Sequence, residues 1–162
     1  IMSKLFVTGN ATSGGILPKE VTRILQDAIQ REIEICISDA HGFESLVQQW
    51  LYNKRYPDVT IYYTDDKPKC IKSHRWATVK VNVDMYANPH TKSQHIYSAL
   101  VNDCDFGFIM WNRTNTILED VIVTMIQQGK PVGLYTFQEP FPTTRIKTME
   151  QFDDYKKRSV NT

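Results

Sequence analysis

Glu34-Ile35-Cys36-Ile37-Ser38-Asp39-Ala40-His41-Gly42-Phe43, continued to Leu51, is the stretch that decides the fold. Glu34 to Ser38 has the length and apolar content of a buried strand. Asp39 to Gly42 is a polar turn. Phe43, Leu46, Val47, Trp50 and Leu51 then recur at helical spacing and predict one apolar stripe. A buried strand that feeds an amphipathic helix through four residues is one half of a βαβ unit.

The same alternation extends in both directions. Upstream, Lys4-Leu5-Phe6-Val7-Thr8 ends at Gly9 and reads as a first strand, followed by a loop at Ser13-Gly14-Gly15. Pro18 then opens a helix whose stripe is Val21, Ile24, Leu25, Ala28 and Ile29. Downstream, Val59 to Thr64 is β-branched and aromatic, as a third strand requires. After an irregular insert over about residues 65–90, a helix is expected at 91–102, with Ile96, Leu100 and Val101 inward. A strand follows at Phe106–Trp111, then a helix marked by Leu118, Val121, Ile122 and Met125 that stops at Gly129. Pro131–Phe137 is a last strand. Alternating strands and helices imply an α/β, Rossmann-like three-layer sandwich with a mainly parallel sheet of about five strands. One domain over residues 2–140 is expected, with 141–162 as a C-terminal tail, either a short helix or frayed. Within the insert, a short extra strand is expected around Thr78–Val83.

The bulk properties narrow the function classes. The chain has 162 residues, one domain's worth, and a formal net charge of +1. That balance argues against a general electrostatic grip on nucleic acid. No apolar run reaches the ~20 residues of a membrane span, so no membrane association is expected. Met2 is expected as the natural start, with no secretory leader. Cys36, Cys70 and Cys104 are far apart and form no CxxC pair, so neither a disulfide framework nor a zinc site is expected. A reducing, cytoplasmic setting fits them. The Asn10-Ala11-Thr12 and Asn112-Arg113-Thr114 glycosylation patterns are then chance matches, and no metal or cofactor is expected.

Open parallel sheets take ligands beyond the carboxyl ends of their strands, where the strand order reverses. In a flavodoxin-like order that crevice lies between the first strand and Phe106–Trp111. Three loops should border it: Thr8–Gly15, Asp39–Gly42 and Trp111–Thr116. Each leads into a helix, whose free N–H groups suit phosphate. The glycines among them form neither GxGxxG nor a Walker loop. Thr116 and Glu119, three apart at a helix start, are either a capping box or a carboxylate held over a sugar. Asp39 binds a ribose hydroxyl or caps the next helix. His41 touches a phosphate or base, or faces solvent; Trp111 stacks on a base or packs in the core. Lys67, Lys69, Lys72, His74, Arg75 and Lys80 interleave with Trp76, as in a solvated loop, a phosphate cover or a nucleic-acid contact. Ser13, His95 and Asp105 make no recognisable triad.

Taken together, Thr8-Gly9-Asn10, Asp39-Ala40-His41-Gly42-Phe43-Glu44 with Leu46-Val47-Gln48, and Asp103 through Phe106 to Trp111-Asn112 resemble the Rossmann-like proteins of the SLOG superfamily. That group includes the Lonely Guy phosphoribohydrolases and the Smf/DprA DNA-processing proteins. Nucleoside 2-deoxyribosyltransferases are similar in fold. The phosphoribohydrolase signature PGGxGTxxE is matched only in its second half, by Asn115-Thr116-Ile117-Leu118-Glu119, with Asn115 in place of glycine. Asn112-Arg113-Thr114 stands where PGG would.

The resemblance implies a nucleotide or nucleoside-derived ligand, with Glu119 at the sugar centre. Thr8, Gly9, Asn10, Asp39, Ala40, His41, Gly42, Trp111, Asn112, Arg113, Thr114 and Thr116 would lie around the ligand. Three functions follow as alternatives. One is cleavage or transfer at the N-glycosidic bond of a nucleoside 5′-monophosphate. Another is a non-catalytic sensor or sequestering module for a nucleotide signal, and the third is a DNA-processing accessory role. Homo-oligomerisation is expected by analogy, because small domains of this type often complete their pockets with a second copy.

Overall fold

The structure, a computed structural model, describes residues 2–11 and 14–158. Ile1, Thr12, Ser13 and residues 159–162 lie outside the described residues, and with them part of the first loop and the end of the tail. The elements in chain order are β1 (Lys4–Gly9), α1 (Lys19–Gln30), β2 (Glu34–Ser38), α2 (Phe43–Asn53), β3 (Val59–Tyr63), β4 (Ala77–Lys80), α3 (Pro89–Asp103), β5 (Phe106–Met110), α4 (Thr116–Gln127), β6 (Val132–Tyr135), β7 (Thr144–Ile146) and α5 (Met149–Lys157).

One sheet of seven strands runs in the order β4-β3-β2-β1-β5-β6-β7, and all its pairings are parallel except β6 with β7. The expected count of about five is therefore corrected to seven. The two additional strands are short edge strands of four and three residues, and β4 overlaps the extra strand expected around Thr78–Val83. β4 carries almost no buried side chain, so the apolar pattern that marks the central strands is missing from it. The order also differs from a flavodoxin-like one: β2 separates β1 from β3, and the chain reverses only after β4. That reversal still brings β1 beside β5, with Leu5 opposite Phe106 and Gly9 opposite Met110.

Alternation along the strands sends successive side chains to opposite faces and builds two cores. Leu5, Val7, Ile35, Ile37, Ile61, Phe108 and Met110 face α1 and α2. Phe6, Cys36, Tyr62, Ile109 and Trp111 face α3, α4 and α5. The helices before the reversal cover one face and those after it the other, as right-handed crossovers require. The result is a three-layer α/β/α arrangement.

The segment beyond residue 141 is part of this body. β7 closes one edge of the sheet, and Phe152 and Tyr155 of α5 are buried against Trp111. The insert is stitched down as well. Gln48, fully buried on α2, donates to the carbonyl of Cys70 and accepts the N–H of Lys72. The Lys69 N–H donates to the Asp39 carboxylate at 2.8 Å. Trp76 is buried, with its indole N–H on the Tyr56 carbonyl, so it is not free to stack on a ligand.

The inward face of α2 is turned from the expected one. Glu44 and Gln48 lie on the buried side with Phe43, Val47 and Leu51, while Leu46 and Trp50 are only half-buried. Close approach of α2 to the end of β1 sets this rotation. A Cβ on Gly9 would sit 2.9 Å from the Met110 Cβ and 3.0 Å from the Phe43 ring, so only glycine fits there.

Candidate functional site

Because β1 to β6 are parallel, every loop that follows them leaves on one edge, the carboxyl edge. A row of buried polar side chains marks that edge. Thr8 lies on β1, Ser38 and Asp39 at the end of β2, Thr64 after β3 and Thr136 after β6. Glu44, one residue into the first turn of α2, points into the middle of the row.

Glu44 as a whole is 4% exposed, and its carboxylate accepts hydrogen bonds from Thr8 Oγ1 (3.3 Å) and Ser38 Oγ (3.2 Å). Thr8 Oγ1 in turn lies 3.4 Å from the Tyr97 hydroxyl of α3. Four elements thus contribute one polar group each to a single network. Burial pushes the Glu44 carboxyl up to about 7, against the lowering effect of its backbone N–H and the two hydroxyls. Burial, with Glu44 as a second cause, holds the Tyr97 phenol up at about 12. Asp39 is raised too, by burial foremost, with the Lys69 N–H opposing. A carboxyl that titrates near neutrality is suited to donate or accept a proton.

Two open volumes are found in this part of the molecule, and Tyr97 is the one network residue that lines either of them. A crevice of about 240 Å³ lies over the ends of β1, β5 and β6, lined by Asn10, Ala11, Asn112, Thr136 and Phe137 among others. A larger groove of about 450 Å³ runs between α3 and α4, with His90, Gln94, Tyr97, Thr116 and Asp120 in its walls. Tyr97 belongs to that groove and reaches Thr8, which ties the groove to the buried network. A third hollow of about 390 Å³ lies between α1, with Ile24, Asp27 and Ala28 in its wall, and the amino ends of β5 and β6, bordered by Phe106, Pro131 and Arg145. It contains none of the polar network.

The three expected loops do come together at the carboxyl edge, but their residues divide by task. Asn10 bridges two of them: its N–H donates to the Met110 carbonyl, and its side-chain oxygen accepts the Asn112 N–H at 2.8 Å. The Asn112 side chain accepts the N–H groups of Thr114 and Asn115, which fixes the turn before α4. Gly42, at φ +82°, precedes α2, and His41 beside it is exposed. Ala40 donates its N–H to Ser38.

Arg113 turns away from the crevice. Its guanidinium holds Glu139 through two nitrogens, donates to the Tyr155 carbonyl and lies 4.5 Å over the Tyr155 ring. Trp111 is core: it is 1% exposed, packs on Phe152 and donates its indole N–H to the Asn115 carbonyl.

Thr116 and Glu119 are not a capping box. Asn115 is the N-cap, accepting the Leu118 N–H, which places Thr116 inside the helix and Glu119 a position too late to reach back. The Glu119 carboxylate instead lies 3.9 Å from the Lys156 ammonium, and its side chain is 37% exposed. The one capping box in the described residues is Thr148 with Gln151, at the start of α5.

Glu44 is the group that reading the sequence by stripes overlooks. An acid at the second helical position resembles an ordinary first-turn residue. The available signal was its place beside Phe43 and four residues before Gln48, on what becomes the inward face. Among the described residues, no three of His, Cys, Asp or Glu converge as a metal-binding group, and no helix is long and apolar enough to cross a membrane. Comparison of the chain with protein-family models, with curated proteins and with solved structures finds no match.

Proposed function

We propose that the protein binds a nucleotide or nucleotide-derived ligand at the carboxyl edge of its sheet, across the β1–β5 crevice. The observation that carries this reading is the buried Thr8–Ser38–Glu44–Tyr97 network at the reversal of strand order. Open α/β sheets take ligands at that position. Polar groups that are buried and mutually bonded there give a site its orientation and selectivity. The N-terminus of α2 beside the network favours a negatively charged group. The layout is Rossmann-like, and the resemblance to SLOG proteins points to the same class of ligand.

A second reading, cleavage of the N-glycosidic bond, is favoured by Glu44. A carboxyl near 7 can give a proton to a departing base while water adds at the sugar carbon. Glu119, salt-bridged to Lys156, is the rival for this role.

The test is a titration of the protein with adenosine, guanosine, cytidine and uridine 5′-monophosphates, with assay of free base in the same samples. Saturable binding of at least one is the expected result, and binding of none overturns the reading. If base is released, its loss in Glu44→Gln and survival in Glu119→Gln assigns the proton transfer to Glu44. The reverse outcome assigns it to Glu119.

A further inference from the structure

Glu44 is enclosed, so a proton that enters or leaves its carboxyl needs neighbours that can pass it on. Apart from its own backbone N–H, its partners among the described residues are the hydroxyls of Ser38 and Thr8. Ser38 is a dead end. Its hydroxyl donates to Glu44, and the bond it accepts comes from the Ala40 N–H, an amide that keeps its proton. Asp39, also at the end of β2, opposes ionisation of Glu44 by its charge, but it is itself buried and accepts the Lys69 N–H.

Thr8 is different. Its hydroxyl meets Glu44 on one side and the Tyr97 hydroxyl, 3.4 Å away, on the other, and either oxygen of that second pair can donate. A hydroxyl both donates and accepts, so the row can run in two directions. With Glu44 ionised, Tyr97 donates to Thr8 and Thr8 donates to Glu44. With Glu44 protonated, the order reverses and Tyr97 donates outward.

The row also leads out of the core. The bonds of Thr8 and Ser38 to Glu44 are buried, whereas the Thr8–Tyr97 bond is only partly so. Tyr97 is half-buried, with its ring 6.1 Å from that of Phe6, and it stands in the wall of the 450 Å³ groove between α3 and α4. Two polar ridges flank that groove at four-residue spacing: His90, Gln94 and Ser98 on α3, and Thr116, Asp120 and Thr124 on α4. A groove of this size and polarity suits water.

We propose that Tyr97 and Thr8 form a proton relay that connects the α3–α4 groove with Glu44. The proposal rests on the reading of Glu44 as the proton-transfer group. A hydronium ion in the groove gives a proton to the Tyr97 oxygen and is left as water. Tyr97 passes its own hydroxyl proton to Thr8, and Thr8 passes its own to the Glu44 carboxylate. Both hydroxyls end neutral and nothing is oxidised. The phenol never has to ionise, although burial foremost, with Glu44 second, holds it up at about 12.

The experiment follows the Glu44 carboxyl carbon by NMR relaxation dispersion in the ligand-free protein, at the titration midpoint of each variant, and extracts the rate constant for protonation. Tyr97→Phe keeps the ring against Phe6 and removes the hydroxyl. It should slow protonation by roughly a hundredfold, the low end of what a positioned proton-transfer group contributes. Thr8→Val should slow it as much, and the double variant no more than either, because the two links stand in series. Melting temperatures show that each variant is folded, and if Thr8→Val does not fold, Tyr97→Phe decides alone. A Tyr97→Phe protein that protonates Glu44 at the wild-type rate overturns the inference. So does a double variant slowed by the product of the two single effects. Because no ligand is present, either result leaves the nucleotide reading standing. That reading falls instead on the binding titration, which these rates do not enter.

Discussion

Replacing Trp111 by alanine is expected to lower folding stability by about 3–5 kcal/mol, the largest single effect we foresee. The indole is fully enclosed, with its ring 5.5 Å from Phe152 and 6.4 Å from Tyr155. It therefore joins β5 to α5, and its N–H satisfies the Asn115 carbonyl just before α4. Truncation leaves a cavity the size of a two-ring side chain and removes one of the two hydrogen bonds to the Asn115 carbonyl, which keeps the Glu119 N–H. For a domain of this size, that corresponds to a fall of about 10 °C or more in Tm. Equilibrium unfolding in urea, read as a shift of midpoint at constant slope, measures it. A loss under about 1 kcal/mol would show that α5 is not held through Trp111.

Stability should also fall as pH rises from about 5 to about 7.5, by roughly 2 kcal/mol, through Glu44 alone. The ordinary value of 4.5 is raised to about 7 in the folded protein. Between those values, the folded state keeps a proton that the unfolded chain has released. The stabilisation is complete below pH 4.5 and is lost as pH climbs through 7. Asp39 acts in the same direction from a lower starting point, because burial raises it too. Glu20 acts oppositely. Arg23 foremost, with Thr143, holds it down at about 2, so its contribution is lost only in acid and is flat across this window. Glu44→Gln should flatten the profile between pH 5 and 7.5. Urea midpoints for wild type and variant at both ends of the window decide it. A wild-type profile that is level there, or a variant that keeps the slope, would show that Glu44 is not the group responsible.

Much of the fold was legible because its signals are local. β1, β2, β3, β5 and β6 are apolar runs of strand length, and α1, α3 and α4 carry their stripes where the burial pattern has them. β7 was not legible: Thr144-Arg145-Ile146 is too short to show any period, and it pairs through backbone atoms. The rotation of α2 was hidden for another reason. Leu46 and Trp50 are more apolar than Glu44 and Gln48, yet the latter are buried, because each finds hydrogen-bond partners only in the assembled structure.

The site was legible as a place more than as a set of groups. Parallel topology alone brings Thr8, Asn10, Asp39, Gly42 and Asn112 to one edge. The different uses of Arg113, Trp111 and Glu119 depend on α5 and the Glu139 loop. Those lie twenty or more residues away in sequence, in a region whose own pattern is weak.

The central claim is that the carboxyl edge around the Thr8–Ser38–Glu44 network is where ligand binds. Residue-resolved amide NMR during titration with the tightest-binding nucleoside 5′-monophosphate tests it most directly. Shifts concentrated at Gly9, Asn10, Ala40, Gly42 and Asn112, with residues at the amino ends of β5 and β6 unmoved, are the predicted result. Shifts centred instead on Phe106, Gly107 and Arg145, around the hollow at the opposite edge, would contradict it.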